Sequence, residues 1–323
     1  MSEKPLKFCR DILSKVSRSF ALTIPMLDDA IRDEVLVTYL QDRILDNFED
    51  EVEGIEFKKR KMLMDTVSII FSSRDYDRNE DFKIIEKNSS SIKKQSLREL
   101  SQNIRQVYAA YDKFDDQIKA FSHSWLAEMN QGMQKYLQNK VETFSELDEY
   151  CYYVAGTVGG FLTDLIIYKI DMEDRKKELL KDNFNEAGLF LQKVNLIRDI
   201  KDDLENRAKH FWPLADLKIT EEGLRDQDNK AAAIRALNTM LKDAGKHTEA
   251  LVKYYRALPD ELSGYKKFFA VNNALGAATL EKLKDNKKVF YGSRPVKVSK
   301  IEFLKILKSP EKYFIKKSKK LSL

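Results

Sequence analysis

Apolar residues return at helical spacing through most of the chain. Val35, Leu36, Tyr39, Leu40, Ile44 and Phe48 form one stripe, interrupted only by Arg43. The same period predicts helices over 6–24, 95–137, 146–168, 175–205, 230–257 and 262–285, with Pro25, Gly54, Pro213, Pro259 and Gly292 as stop or turn signals. Strand-like alternation is scarce. From Ser72 to Ser96 the period dissolves into a polar stretch, which predicts a connection or a short, loosely packed helix. No Pro-, Gly- or Ser-rich linker divides the helical segments. The pattern therefore predicts an all-α chain: one helical-bundle domain over 1–310, then a basic tail over 311–323.

Composition supports long helices, because 323 residues include only 11 Gly and 6 Pro, under half of the roughly 12% these two reach in average usage. No run approaches the roughly 18 consecutive apolar residues of a membrane span, and the first residues lack the apolar core of a signal peptide. A cytoplasmic protein is expected. Cys9 and Cys151 are too few for a disulfide framework or a zinc site, and His123, His210 and His247 show no metal-ligand spacing. The formal net charge is +5, yet the nine lysines from Lys297 onward against Glu302 and Glu311 more than account for it. That placement excludes a basic nucleic-acid-binding body. It predicts either a membrane-surface element, hence peripheral contact with a membrane, or a solvated chain end. The segment Asp285–Lys300, with its Gly, Pro, aromatic pair and lysines, reads as a basic loop able to close over an anion.

Carboxylates at i, i+3 and i+4 share one helical face and suit magnesium bound together with phosphates. With 52 acidic residues in 323, about one such triplet arises by chance; the chain has four. Asp77/Glu80/Asp81 lies in the polar connection, and Asp112/Asp115/Asp116 has no arginine within a turn, so both are expected to face solvent. Asp46/Glu49/Asp50 follows Tyr39 and Arg43 on an apolar helix. Asp199/Asp202/Asp203 follows Gln192, Asn195 and Arg198, polar groups that intrude on a buried stripe. Two such faces predict a cavity in which magnesium ions and arginine forks hold a diphosphate.

At these residues the chain resembles a known family. The stretches SRSF (Ser17–Phe20), YLQDRILDNFEDE (Tyr39–Glu51), EYCYYVAGTVGGFL (Glu149–Leu162) and LFLQKVNLIRDIKDD (Leu189–Asp203) are similar to those of head-to-head prenyl synthases, which comprise squalene and phytoene synthases. The resemblance runs from about Phe8 to about Lys308, and KHFWP (Lys209–Pro213) with Phe268–Lys300 favours the squalene branch. It implies the isoprenoid synthase fold and the joining of two farnesyl diphosphates to presqualene diphosphate, followed by NADPH-dependent reductive rearrangement to squalene. Two departures bear on the cofactor. Lys209 stands where the family has arginine, and after Pro295 the basic residues are Lys297 and Lys300 with Ser299 between them.

The resemblance implies roles for named residues. Asp46, Glu49, Asp50, Asp199, Asp202 and Asp203 would hold Mg2+. Ser17, Arg18, Ser19, Arg43, Arg198, Gln192 and Asn195 would bind substrate diphosphate, while Lys297, Lys300, Lys209 and Asn195 would bind NADPH. Tyr150, Tyr39 and Arg43 would act in catalysis, Tyr150 as acid and base beside the first carbocation. Phe20, Tyr153 and Phe269 join Tyr39 and Tyr150 as candidate aromatic faces for cations; each is otherwise ordinary core. Ala155, Gly156, Thr157, Gly159 and Gly160, like Ala274, Gly276, Ala277 and Ala278, leave room for a prenyl chain or permit close helix packing. The expected partner is farnesyl diphosphate, acting on a monomer. The competing readings are a phytoene or dehydrosqualene synthase that stops before reduction, and a non-catalytic prenyl-binding member.

Overall fold

The computed structural model describes residues 3–52, 54–72, 74–207 and 210–321. Among these residues the regular structure is helical, and the only β pairing is an isolated antiparallel bridge between Val52 and Ile92. The chain forms two compact units: Met1–Gln138 with Phe161–Asp171, and Asn139–Gly160 with Met172–Leu323.

The first unit is organised by the helix Arg32–Asp50, whose stripe Val37, Leu40, Ile44, Leu45 and Phe48 is fully buried. It packs against Lys4–Val16, Phe57–Ile70 and Asp116–Tyr136. Two polar side chains on the buried side reach across to neighbouring helices: Ser122 donates to Gln41 Oε1 at 2.6 Å, and Asn47 Nδ2 donates to Ser101 at 3.0 Å. The segment 95–137 is three helices where the period predicts one. Asn103 turns its amide back to the Glu99 carbonyl and ends the first, and Asp115 caps the last by accepting from Ile118 N–H at 2.9 Å. Within the polar stretch, Asn79–Asn88 is a short helix seated by buried Phe82 and Ile85.

In the second unit a capping box between Thr143 and Glu146 starts the helix Phe144–Cys151, which runs into a π-turn at Tyr152–Gly156. Two glycines of this unit serve close packing. A Cβ on Gly159 would lie 2.0 Å from the Phe184 carbonyl oxygen, and one on Gly188 would lie 2.2 Å from that of Ala155. Only glycine lets these backbones touch. The Glu186–Asp202 helix is tied in from below by Lys193, buried and ion-paired to Asp148 and Asp243. By length and composition Phe144–Lys169 could cross a membrane, but with 56% of its apolar window buried it packs as a core helix.

The basic segment expected as a tail is a helix, Pro310–Leu321, laid along Ser263–Leu283. Phe314 and Ser318, one turn apart, are buried there, and Lys317 bridges Glu281 and Glu302. An amphipathic pair at i and i+4 suffices to dock the segment, which net charge alone does not reveal.

Candidate metal and diphosphate site

On the Arg32–Asp50 helix the spacing of three and four residues places Tyr39, Asp42, Arg43, Asp46 and Asp50 along one face. The carboxylates of Asp46, Glu49 and Asp50 offer ligand atoms all within 4.8 Å of one another. Glu49 is buried, Asp46 half-buried and Asp50 exposed, so the group opens from the core toward solvent. Arg43 ion-pairs with Asp46 and stands 3.8 Å from Glu51. Burial works against the Arg43 cation, but Asp46 and then Tyr39, Glu51 and Asp50 outweigh it, so the guanidinium stays charged. Burial also raises the Tyr39 hydroxyl, which bonds to the Ser17 side chain. The Ser17 Oγ accepts from Phe20 N–H at 3.1 Å, and the Phe20 ring lies 5.0 Å from that of Tyr39. Ser17, Phe20, Tyr39, Arg43 and the three carboxylates are thus gathered by this helix and the turn that ends Lys4–Val16. Arg18 and Ser19 project from that turn as exposed side chains.

The second carboxylate helix, Glu186–Asp202, is less converged. Arg198 Nε donates to Asp199 Oδ1 at 2.8 Å, so the neighbouring cation occupies that carboxylate. The α-helix gives way to a π-turn at Asp203–Arg207, with the Asp203 N–H still bonded to the Asp199 carbonyl. Among the described residues Asp199, Asp202 and Asp203 do not form a close group like the first. Gln192 is half-buried and Asn195 exposed. Tyr150 is buried and stacked on Phe211, with ring centroids 3.8 Å apart and planes 9° from parallel. Phe269 stacks on Tyr254 at 5.2 Å, and Tyr153 meets Tyr152 edge-on. Lys297 and Lys300 are exposed on the segment after Gly292, and Lys209 lies outside the described residues.

The donor sets differ in what they fit. Three clustered carboxylate oxygens suit a hard divalent cation. Ammonium groups free to reach into solvent, as at Lys297 and Lys300, suit a phosphorylated cofactor as point charges.

Sequence reasoning missed two features. Asp42 sits one turn before Asp46; burial, and then the Asp46 charge, push its carboxyl up to about 8. Extending the acidic stripe back by four residues would have found it. A cleft of about 210 Å³ is lined by Lys201, Glu205, Arg225, Gln227, Phe290 and Tyr291. Lys201 donates to the Gly292 carbonyl at 2.8 Å and Tyr291 to that of Asp226 at 3.0 Å, so the cleft borders the segment bearing Lys297. Arg225 carried no sequence signal. The triplets expected to face solvent are engaged locally: Asp77 accepts from Asn79 N–H, Asp81 from the Tyr76 hydroxyl, and Asp116 pairs with Lys119.

Residues 13–302 match the family of squalene/phytoene synthases. A squalene synthase of Nicotiana benthamiana is 33% identical over 291 residues, covering 88% of this chain and 66% of that protein. Squalene synthase 10 of Panax ginseng is 32% identical, covering 90% of this chain and 67% of its own length. The chain thus spans about two thirds of these relatives. A solved structure of TcSQS with a ligand superposes with a TM-score of 0.86 at 29% identity, covering 99% of this chain and 90% of that one. A dehydrosqualene synthase with a ligand, at 18% identity and a TM-score of 0.65, shares the fold.

Proposed function

The chain belongs to the squalene/phytoene synthase family, and from that premise we propose that it carries out the squalene synthase reaction. Two farnesyl diphosphates are joined head to head to presqualene diphosphate, which is then rearranged and reduced to squalene. The observation that carries this reading is the gathering of Asp46, Glu49 and Asp50 with Arg43 and Tyr39 on one helix face. Relatives above 30% identity named as squalene synthases support the same branch.

Breaking a carbon–diphosphate bond requires that the charge growing on the leaving group be stabilised. Asp46, Glu49 and Asp50 would hold magnesium, with Asp199, Asp202 and Asp203 as the second ligand set. Arg43, Arg198 and Arg18 would bind diphosphate oxygens, with Ser17, Ser19, Gln192 and Asn195 as uncharged donors. When bound, magnesium neutralises diphosphate charge and NADPH supplies the reducing equivalent. Lys297 and Lys300, with Lys209 and Asn195, would hold the cofactor phosphates. The Phe20 and Tyr39 faces would stabilise an allylic cation, and the Tyr150 hydroxyl would move the proton of the first coupling. A hydrocarbon product places the protein at a membrane surface, and peripheral contact belongs to this reading.

The test is product analysis with farnesyl diphosphate and magnesium, with and without NADPH. Presqualene diphosphate is expected without the reductant and squalene with it. A dehydrogenated C30 or C40 product indifferent to NADPH would assign the chain to the dehydrosqualene or phytoene branch. Unconsumed substrate would leave only a binding role.

A further inference from the structure

Ile301 and Leu304 are 68% and 63% exposed, the most exposed large apolar side chains among the described residues. Isolated surface leucines are ordinary. These two are adjacent on one side of the helix Lys300–Lys308, and Lys305 and Lys308 share that side at i+4 and i+7 from Ile301. The opposite side holds the helix to the protein through fully buried Ile306 and through Glu302, which pairs with Lys317 and Lys282. The other acid of this region, Glu311, is engaged by the Tyr255 hydroxyl. Both acids thus have partners within the protein, while Lys305, Lys308 and, on the next helix, Lys312 and Lys316 stay exposed.

We propose that the outer face of Lys300–Lys308, with Ile301 and Leu304 flanked by Lys305 and Lys308, docks on an anionic lipid bilayer. A helix with apolar side chains between lysines lies in the interfacial plane, its carbon in the acyl boundary and its ammonium groups among acidic headgroups. Charge complementarity selects this occupant, because a second copy would set lysines against lysines. The proposal rests on the reading above only in that a hydrocarbon product belongs in a bilayer. It differs from a basic-tail anchor: Phe314 and Ser318 bind Pro310–Leu321 to the protein, and the insertable side chains lie on the preceding helix.

Co-sedimentation of the full chain with phosphatidylcholine vesicles, alone and containing phosphatidylglycerol, tests the face. Binding is expected only with the anionic lipid. Lys305→Gln with Lys308→Gln should weaken it roughly thirty-fold, from about 1 kcal/mol for each lysine. Ile301→Ser with Leu304→Ser should weaken it at least roughly ten-fold through lost apolar burial. Lys300 is left intact because it belongs to the proposed cofactor set. Parental vesicle binding by both double variants would overturn the proposal. So would a concentration-dependent dimer of the parent that Ile301→Ser with Leu304→Ser abolishes, which would give the face to a second copy. Turnover on detergent-dispersed substrate should stay parental in both variants. Vesicle binding is scored without turnover, so failure of the face and failure of the catalytic reading are separable.

Discussion

Lys193 and Asp243 form an ion pair inside the second unit, with side chains 1% and 4% exposed. Asp148, on the helix that carries Tyr150, is the second partner of the same ammonium. Burial disfavours the lysine cation, but Asp243 and Asp148 outweigh it and hold the group charged. One side chain thereby joins Glu186–Asp202 to the Tyr150 helix and to Lys230–Gly245.

Removing this buried cation leaves the Asp243 carboxylate with only the solvent-exposed Lys246 ammonium, 2.7 Å away. Lys193→Met should cost about 3–5 kcal/mol of stability, measured by urea denaturation. The double variant Lys193→Met with Asp243→Leu should recover much of that loss, since no buried charge remains at Asp243. A single variant as stable as the parent would sink the keystone role.

Asp46→Asn should lower turnover by roughly 10²–10³-fold and weaken magnesium binding, read by calorimetry, with helical content unchanged. The contrast is Asp77→Asn and Asp112→Asn. Asp77 is engaged with Asn79, and Asp112 accepts the Tyr108 hydroxyl at 3.3 Å. Both variants should keep parental turnover. Equal loss in Asp112→Asn and Asp46→Asn would refute the assignment of the metal to the first cluster.

Asp42 makes stability depend on pH in a direction fixed by its shift. Its carboxyl is raised from 3.8 to about 8, so between those values the folded chain keeps a proton that the unfolded chain has released. Stability from this group is therefore present at acid pH and lost as pH rises toward 8. In metal-free buffer the melting temperature of the parent should fall from pH 5 to pH 8 more steeply than that of Asp42→Asn. Parallel curves would show that Asp42 is ionised throughout.

Helical period made the fold class legible, because the stripe from Val35 to Phe48 is buried as the spacing requires. The first carboxylate cluster was legible for a local reason: Tyr39, Arg43 and Asp46 are bound to one face by helix geometry. What escaped reading depends on side-chain choice or distant packing. The Asn103 amide ends a helix whose apolar period continues, and Phe314 docks a segment that looks like a charged tail. Arg198 takes Asp199, a side-chain pairing that the spacing i, i+3, i+4 does not reveal. Gly159 permitted two readings until the Phe184 carbonyl was found against it. Gly159→Ala should therefore cost at least about 1–3 kcal/mol by forcing backbones apart, read as a lowered melting temperature. An unchanged melting temperature would return that stretch to the role of a prenyl channel.

The reductive half of the proposed reaction sets the final test, because coupling and reduction make different demands on the chain. Coupling needs carboxylates, arginines and aromatic faces, whereas reduction needs the phosphates of the cofactor held near Lys297 and Lys300. Neither lysine lies on a carboxylate helix, and both are exposed, so their loss should leave the fold and the metal cluster intact. Lys297→Ala with Lys300→Ala should consume farnesyl diphosphate at the parental rate and accumulate presqualene diphosphate. NADPH affinity, followed by nicotinamide fluorescence, should fall about thirty-fold if each ammonium contributes roughly 1 kcal/mol, a modest value for an exposed charge on phosphate. The cleft between Arg225 and Tyr291 supplies the control. Arg225→Gln should weaken NADPH if the dinucleotide extends past Gly292 into that cleft, and leave it unchanged if the phosphates stop at Lys297. Parental affinity and parental squalene output in the double lysine variant would remove the cofactor from this segment altogether.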